Sequence, residues 1–427
     1  MSLHDLPSEL LHVIIERVVL AVEVAPQSID EARQQRHSTS AWTDSMSDLC
    51  VLTQKLPLQT TSIGLLLSWK LMSAITQTVL SELQRTKRLT FTLDVLMVGE
   101  RQLWTTWLCI PTVTKCIDTL DVRIRIADGH SHIVATLPGE DENIFRRSGL
   151  WRGNGGPPPF MWAFYYILCA AIRRGPTLDL RKPVTFWSSV LNLHLITIPY
   201  DKHVVLRHVN ILIDTLEGAK MPPPEITYDD WLEARPSSAG YVSEDTNSAE
   251  DLALRATCMR PEWLATFLNE GLSRTIGWAD YSALFFQRLG SLSISCANLT
   301  CDTGEMELNQ TVDFGEHFAR YREEDQVGRH WGARFDWLPR GDRDARFKDW
   351  WRKTLKARLA AGLDVGGAKR WMDDQSVESL LLPLPPEGAE SMVAHWNGGH
   401  LKGWRMAVLR IRGLVTVRRT SRSNALL

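Results

Sequence analysis

The hydrophobic and polar positions near the start of the chain repeat with the period of a helix. Apolar side chains recur every three or four residues and form one stripe: Leu6, Leu10, Leu11, Ile14, Ile15, Val18 and Val22. Pro7 suits the first position of a helix, where its missing N–H costs nothing. Glu9 suits the positive end of the helix dipole. The pattern therefore predicts an N-terminal helix whose apolar face must be buried against something.

A second helical pattern occupies residues 60–80, after a polar insertion at residues 25–46. Its apolar and small side chains fall on two faces: Leu67, Leu71, Ala74 and Thr78 on one, and Leu65, Trp69 and Met72 on the other. This spacing predicts an amphipathic helix that could form a hairpin with the N-terminal helix.

From residue 89 the period changes, and strand-like segments alternate with helix-like ones. The predicted strands are residues 89–98, 117–126 and 186–198. The predicted helices are residues 101–108, 160–174 and 204–216. In the second strand, the even-numbered residues Leu120 to Ile126 form an apolar face, and Asp121, Arg123 and Arg125 form a polar one. Strands separated by helices predict parallel or mixed β/α units in one layered body.

The clearest boundary lies at residues 222–251. Residues 225–251 contain eight acidic side chains against one basic side chain, and Pro222-Pro-Pro224 precedes them. Low hydrophobicity with charge of one sign predicts a flexible linker. Beyond it, helices are predicted at residues 261–272, 279–289 and 345–363. Residues 391–427 carry seven Lys or Arg and no acidic residue, and the runs on either side of Gly413 predict a short hairpin.

The stretch Leu6-Pro-Ser-Glu-Leu-Leu-His-Val-Ile-Ile15 resembles the opening of an F-box, the module that docks a protein onto a Skp-type adaptor of a cullin ubiquitin ligase. The apolar run at residues 60–80 resembles the closing helices of that module, whereas the insertion at residues 25–46 departs from its compact pattern. The motifs Leu93-Asp-Val-Leu-Met-Val98, Leu103-Trp-Thr-Thr-Trp-Leu108 and Ile117-Asp-Thr-Leu-Asp-Val122 resemble a group of uncharacterised fungal proteins with an F-box-like start. This resemblance covers roughly residues 3–215.

The resemblance implies a substrate receptor that docks on a Skp-type adaptor and presents an unknown protein substrate. It implies that the adaptor-binding residues are Leu6, Pro7, Leu10, Leu11, Ile14 and Ile15. Ubiquitin chemistry would belong to the recruited ligase, so we expect no catalytic residue and no enzyme activity in this chain. The alternative is a structural or interaction protein whose degenerate F-box-like helix packs on its own body and has no ligase role.

Taken together, the patterns predict an α+β fold with four regions. These are F-box-like helices at residues 1–85, a mixed β/α body at 86–216, an acidic flexible linker at 217–260, and a mainly helical C-terminal region with a basic tail at 261–427.

The amino-acid composition narrows the classes of function that the chain can have. The net charge of -2 gives no global field that would attract nucleic acid, and no apolar run is long enough to span a bilayer. We therefore expect neither membrane insertion nor nucleic-acid binding. Seven Cys without a CxxC pair indicate reduced thiols in the cytoplasm or nucleus. The 17 Trp residues favour several small cores or recognition surfaces.

Motifs for catalysis and metal binding are weak. Residues 362–369 lack the Gly-Lys-Ser/Thr ending of a phosphate loop, so we interpret them as a helix C-cap with a turn. Cys296 and Cys301 lack a second pair at zinc spacing, and His203 and His208 stand five residues apart, which places them on different faces of a helix. We expect no cofactor and no metal.

Overall fold

The structure is a computed structural model that describes residues 6–34, 50–54, 59–99, 102–127, 203–234, 256–276, 279–297, 310–323 and 351–366, with a few residues at 164–176 and 249–254 between them. The chain divides into two compact units, residues 1–374 and 375–427, and the described residues belong to the first unit.

The described residues contain both helices and strands. The helices are α1 (Ser8–Val19), α2 (Ile29–Gln34), α3 (Ile63–Leu66), α4 (Lys70–Arg85), α5 (Tyr228–Glu233), α6 (Pro261–Ile276), α7 (Ala279–Arg288), α8 (Phe314–Glu323) and α9 (351–360). The strands are β1 (Cys50–Thr53), β2 (Thr90–Val98), β3 (Gln102–Cys109), β4 (Cys116–Ile126), β5 (Val205–Thr215), β6 (Leu289–Cys296) and β7 (Gln310–Asp313).

In the described part of the chain, the strands form one mixed sheet in the order β1-β3-β2-β4-β5-β6-β7. The central strands β2, β4, β5 and β6 are parallel to one another, whereas β3 and β7 run antiparallel to β2 and β6. One row of buried side chains, Leu93, Val122, Ile211 and Ile294, crosses the four parallel strands in register. Helices and a mixed sheet together confirm the predicted α+β class.

On β4, β5 and β6, the opposite face carries mostly polar side chains. Ser293 Oγ donates a hydrogen bond to Asn210 Oδ1 at 2.9 Å, and Asn210 Nδ2 donates one to Asp121 Oδ1 at 2.9 Å. One step along the strands, His208 Nδ1 and Ser291 Oγ lie 2.8 Å apart, within hydrogen-bond distance. These side chains are half-buried or exposed, and they form rows perpendicular to the strands.

Two predicted helices, at residues 101–108 and 204–216, are wrong, because β3 begins at Gln102 in the first and β5 runs from Val205 to Thr215 in the second. Every residue of β3 is buried, so the strand shows no alternation that could distinguish it from a buried helix. In β5, Val209, Ile211 and Ile213 are buried and the residues between them are exposed. That alternation of β-branched residues was the signal for a strand.

Other predicted elements are confirmed where the structure describes them. The strands at residues 89–98 and 117–126 are β2 and β4, and the helices after residue 261 are α6 and α7. Within 160–174, the described residues 167–172 are helical and almost all of them are buried. Pro7 precedes α1 as its N-cap, one position earlier than predicted. The predicted strand at 186–198 and the hairpin around Gly413 lie outside the described residues.

The sheet extends across the predicted linker. β5 precedes residues 217–260, β6 follows them, and the two strands pair in parallel. Inside this segment, α5 is anchored by the buried ring of Trp231, whose centroid lies 5.6 Å from that of Trp263 on α6. A domain boundary at residues 217–260 would therefore separate two strands that pair in one sheet. The acidic residues of α5, such as Asp229 and Asp230, are exposed on a crossover between two strands.

Candidate functional site

The two sides of α1 differ sharply in burial. Leu11, Ile15 and Val19 are 4%, 1% and 0% exposed. One residue earlier in each turn, Leu10, Ile14 and Val18 are 50%, 40% and 42% exposed. Because successive residues are about 100° apart around a helix, these two sets lie on neighbouring faces. The helix therefore buries one apolar face and presents a second one to solvent.

The buried face of α1 packs against α4. The inner side of α4 is built from Met72, Ile75, Thr76, Val79, Leu80 and Leu83. Thr76 is buried without an unsatisfied hydroxyl, because its Oγ1 donates to the carbonyl of Met72 at 2.7 Å within the helix. The predicted hairpin between the N-terminal helix and the second helical pattern is thus present as an α1–α4 pair.

The C-terminal end of α1 is tied to the end of β3. The Thr61 hydroxyl donates to the carbonyl oxygen of Val19, and the Thr61 N–H donates to the carbonyl oxygen of Ile110 at 2.8 Å. Just past the helix, the Glu23 N–H donates to the carbonyl oxygen of Leu108 at 2.9 Å. Farther back along α1, Glu16 forms an ion pair with Arg88. These contacts hold the helix from several directions.

The second helical pattern also leaves apolar side chains in solvent. It is interrupted, because α3 ends at Leu66 and α4 begins at Lys70, with Trp69 as N-cap. At this break Leu67 is 79% exposed, and Ile63, Trp69 and Leu71 are also exposed. The N-terminal region thus carries apolar surface on both α1 and the α3–α4 junction.

The structure separates the six predicted adaptor-binding residues. Leu10 and Ile14 lie on the exposed face, Pro7 is exposed at the N-cap, and Leu6 is half-buried. Leu11 and Ile15 lie instead in the core, where no partner can reach them while α1 stays packed on α4. The sequence pattern joined all six in one stripe, because it shows which positions are apolar but not which of two adjacent apolar faces meets the body. It also left out Val13, which is exposed beside Leu10 and Ile14.

A cluster of polar side chains surrounds Arg207 at the start of β4. Arg207 Nε lies 3.1 Å from Asp118 Oδ1 and donates to Cys116 Sγ at 3.2 Å, and Arg207 Nη1 donates to the carbonyl of Gly362 at 3.1 Å. Burial raises the pKa of the Cys116 thiol, although the nearby guanidinium opposes this shift. The thiol therefore stays protonated at neutral pH, and the cluster joins β4, β5 and the turn after α9 without an activated nucleophile.

The described residues hold no group of three or more His, Cys, Asp or Glu side chains that could bind a metal ion. His203 and His208 were placed on a helix by the sequence, but His208 lies on β5 and His203 precedes that strand. The C-cap interpretation of residues 362–369 is confirmed for their described part. Gly362 has φ +64° after α9, and the Leu363 N–H donates back to the carbonyl of Arg358 at 3.0 Å.

Among the described helices, none is both long and apolar enough to cross a bilayer. Comparison of the chain with protein-family models, with curated proteins and with solved structures finds no match in any of the three.

Proposed function

We propose that this protein is an F-box-like recognition protein that docks on a Skp-type adaptor of a cullin ubiquitin ligase through the outer face of α1. The observation that supports this proposal most directly is the exposed row Leu10, Ile14 and Val18, one helical turn apart. Single exposed apolar residues are ordinary on a protein surface, but a row along one helix face is typical of a binding surface.

The free energy available from burying Leu10, Ile14 and Val18 favours a binding role for this row. Burying a side chain such as Leu or Ile completely contributes about 1.5–3 kcal/mol. Leu10, Ile14 and Val18 keep about half of that area available for a partner, and Pro7 and Val13 flank them. In this proposal Pro7, Leu10 and Ile14 contact the adaptor directly, whereas Leu11 and Ile15 support the helix from within.

The rest of the proposal follows from the same role. Ubiquitin transfer would belong to the recruited ligase, so this chain would act in the cytoplasm or nucleus without catalytic residues of its own. A protein substrate would bind elsewhere on the body. Four described tryptophans cannot form that surface because they are buried, namely Trp104, Trp107, Trp231 and Trp351, whereas Trp69 is exposed.

A second candidate is an interaction protein without a ligase role. The observation that favours it is the burial of Leu11, Ile15 and Val19 against the protein's own body, together with the ties from Thr61 and Glu23. In this case α1 would be a structural helix, and its exposed row would meet a partner other than an adaptor or no partner at all.

Co-purification of the full chain with a Skp-type adaptor separates the two candidates. We expect the wild-type chain to bind, and we expect Leu10→Asp or Ile14→Asp to weaken binding at least about 30-fold, because an unpaired charge would enter an apolar interface. The matched control is Val24→Asp, which changes an apolar residue that is 83% exposed and lies beyond α1. Normal binding by both α1 variants, or no binding by the wild type, rules out the adaptor proposal.

A further inference from the structure

We propose that the docking helix is not an autonomous module but is mounted on the end of β3, and that Thr61 is the positioning residue that fixes it there. This inference rests on the proposed function, since it concerns how the outer face of α1 is held for the adaptor.

The mounting of α1 on β3 involves a backbone carbonyl group in the last turn of the helix. The last carbonyl groups of an α-helix have no partner within the helix. In α1, the carbonyl oxygen of Val19 is one of these groups, and it accepts a hydrogen bond from the Thr61 hydroxyl. The backbone N–H of the same Thr61 donates to the carbonyl of Ile110, directly after β3. One residue therefore connects the final turn of α1 to the sheet.

Two further contacts also join the end of α1 to the end of β3. The Glu23 N–H donates to the carbonyl of Leu108, and Cys109 Sγ lies 3.8 Å from the Val19 carbonyl oxygen. Both Leu108 and Cys109 lie at the end of β3. Thr61 takes part through its backbone and its side chain together, so its hydroxyl can be removed without disturbing the backbone hydrogen bond.

The tie determines which face of α1 points outward. Side-chain packing alone allows a helix to rotate slightly about its axis, because apolar contacts have little directionality. A hydrogen bond to the last carbonyl is directional and resists that rotation. Leu10, Ile14 and Val18 lie on the adjoining face, so a rotation of α1 would move all three relative to the body. Thr61 thus acts on adaptor binding through α1 and does not itself contact the adaptor.

The test compares three variants of the full-length chain. Thr61→Val removes the hydroxyl and keeps the shape and the N–H, whereas Thr61→Ser keeps the hydroxyl. Thr78→Val is the matched control, because the Thr78 hydroxyl donates to the carbonyl of Ala74 within α4, on its exposed side. Affinity for a purified Skp-type adaptor is measured by titration calorimetry, and amide hydrogen exchange is followed at Leu20 and Glu23, with β2 and β4 amides as the measure of an intact fold.

We expect Thr61→Val to weaken adaptor binding about three- to tenfold and to accelerate exchange at Leu20 and Glu23, while Thr61→Ser and Thr78→Val resemble the wild type. If Thr61→Val binds the adaptor as tightly as the wild type, the positioning role is excluded and the proposed function stands. If the wild type does not bind the adaptor, the proposed function fails, and unchanged exchange in Thr61→Val would then exclude the mounting of α1 independently.

Discussion

Arg125 on β4 forms a bidentate ion pair with the carboxylate of Asp94 on the adjacent strand β2. Arg125 Nε donates to Asp94 Oδ1 at 2.7 Å, and Arg125 Nη2 donates to Asp94 Oδ2 at 2.8 Å. The two side chains are 4% and 0% exposed, so both charges are removed from water. A buried ion pair of this kind is weak evidence for stability by itself, but it is costly to break.

Removing one partner of this pair should destabilise the fold strongly. Arg125→Met leaves a buried carboxylate without its cation, and we expect a loss of about 3–5 kcal/mol in the free energy of unfolding. The double variant Asp94→Leu/Arg125→Met removes both charges and should recover most of that loss. Urea unfolding of the two variants checks this. Equal losses in the single and double variants would contradict the description of the pair as a coupled unit.

The two faces of α1 should respond differently to the same substitution. Ile15→Asp places an unpaired charge in the core and should cost more than about 4 kcal/mol of unfolding free energy or prevent folding. Leu10→Asp, on the exposed face, should cost about 1 kcal/mol or less. Denaturant unfolding of the isolated full chain measures both values. Comparable losses at the two positions would show that α1 is not packed as the structure has it.

Lys87 is held in a conformation that favours glycine. It follows the last residues of α4 with φ +57°, and the Arg88 N–H donates back to the carbonyl of Leu83 at 2.8 Å. Lys87→Gly should therefore stabilise the protein by about 0.5–1 kcal/mol, because it removes the strain of a left-handed residue with a Cβ. The control is Thr86→Gly at φ −85°, which should not stabilise. Thermal unfolding compares them, and a lower melting temperature for Lys87→Gly would contradict the assigned turn.

The Cys109 thiol gives the fold a dependence on alkaline pH. Burial raises its pKa from 9.0 to about 11, and the nearby carboxylate of Glu23 adds to the shift. The folded state holds this proton more tightly than the unfolded state. The contribution of the protonated thiol to the free energy of unfolding is therefore fully present below pH 9 and is lost as the pH rises from 9 towards 11. We expect the wild type to lose about 1–2 kcal/mol more than Cys109→Ala over this window. Identical pH profiles for the two proteins would exclude ionisation of this thiol on unfolding.

The sequence allowed correct prediction of the elements whose pattern is set by one buried face. β4, α1 and α6 belong to this group, because each presents a regular apolar face to the core. β2 was identified from its strand-forming residues, although Leu93 to Val98 are all buried. β3 was missed because all of its residues are buried, where it lies between β1 and β2 in the sheet. Such burial depends on the tertiary structure and leaves no period in the sequence.

The same limit applies to the candidate site. The apolar nature of Leu10, Leu11, Ile14 and Ile15 was evident from the sequence, but their division into an outer and an inner pair depends on where α4 lies. Arg125 was predicted on a polar face with Asp121 and Arg123, and it is buried in an ion pair with Asp94 on the neighbouring strand. Nothing in the local sequence identifies a partner that is 31 residues away.

The polar rows on the sheet also discriminate against misaligned strands. A slip of one residue between neighbouring strands is strongly unfavourable, because it would move the buried apolar side chains of one strand to the solvent-exposed face of the sheet. A slip of two residues preserves the alternation of faces, so hydrophobic burial alone does not oppose it. It would, however, separate Asn210 from both Asp121 and Ser293, and His208 from Ser291. These three strand-to-strand contacts thus favour the correct alignment of the strands over a slip of two residues.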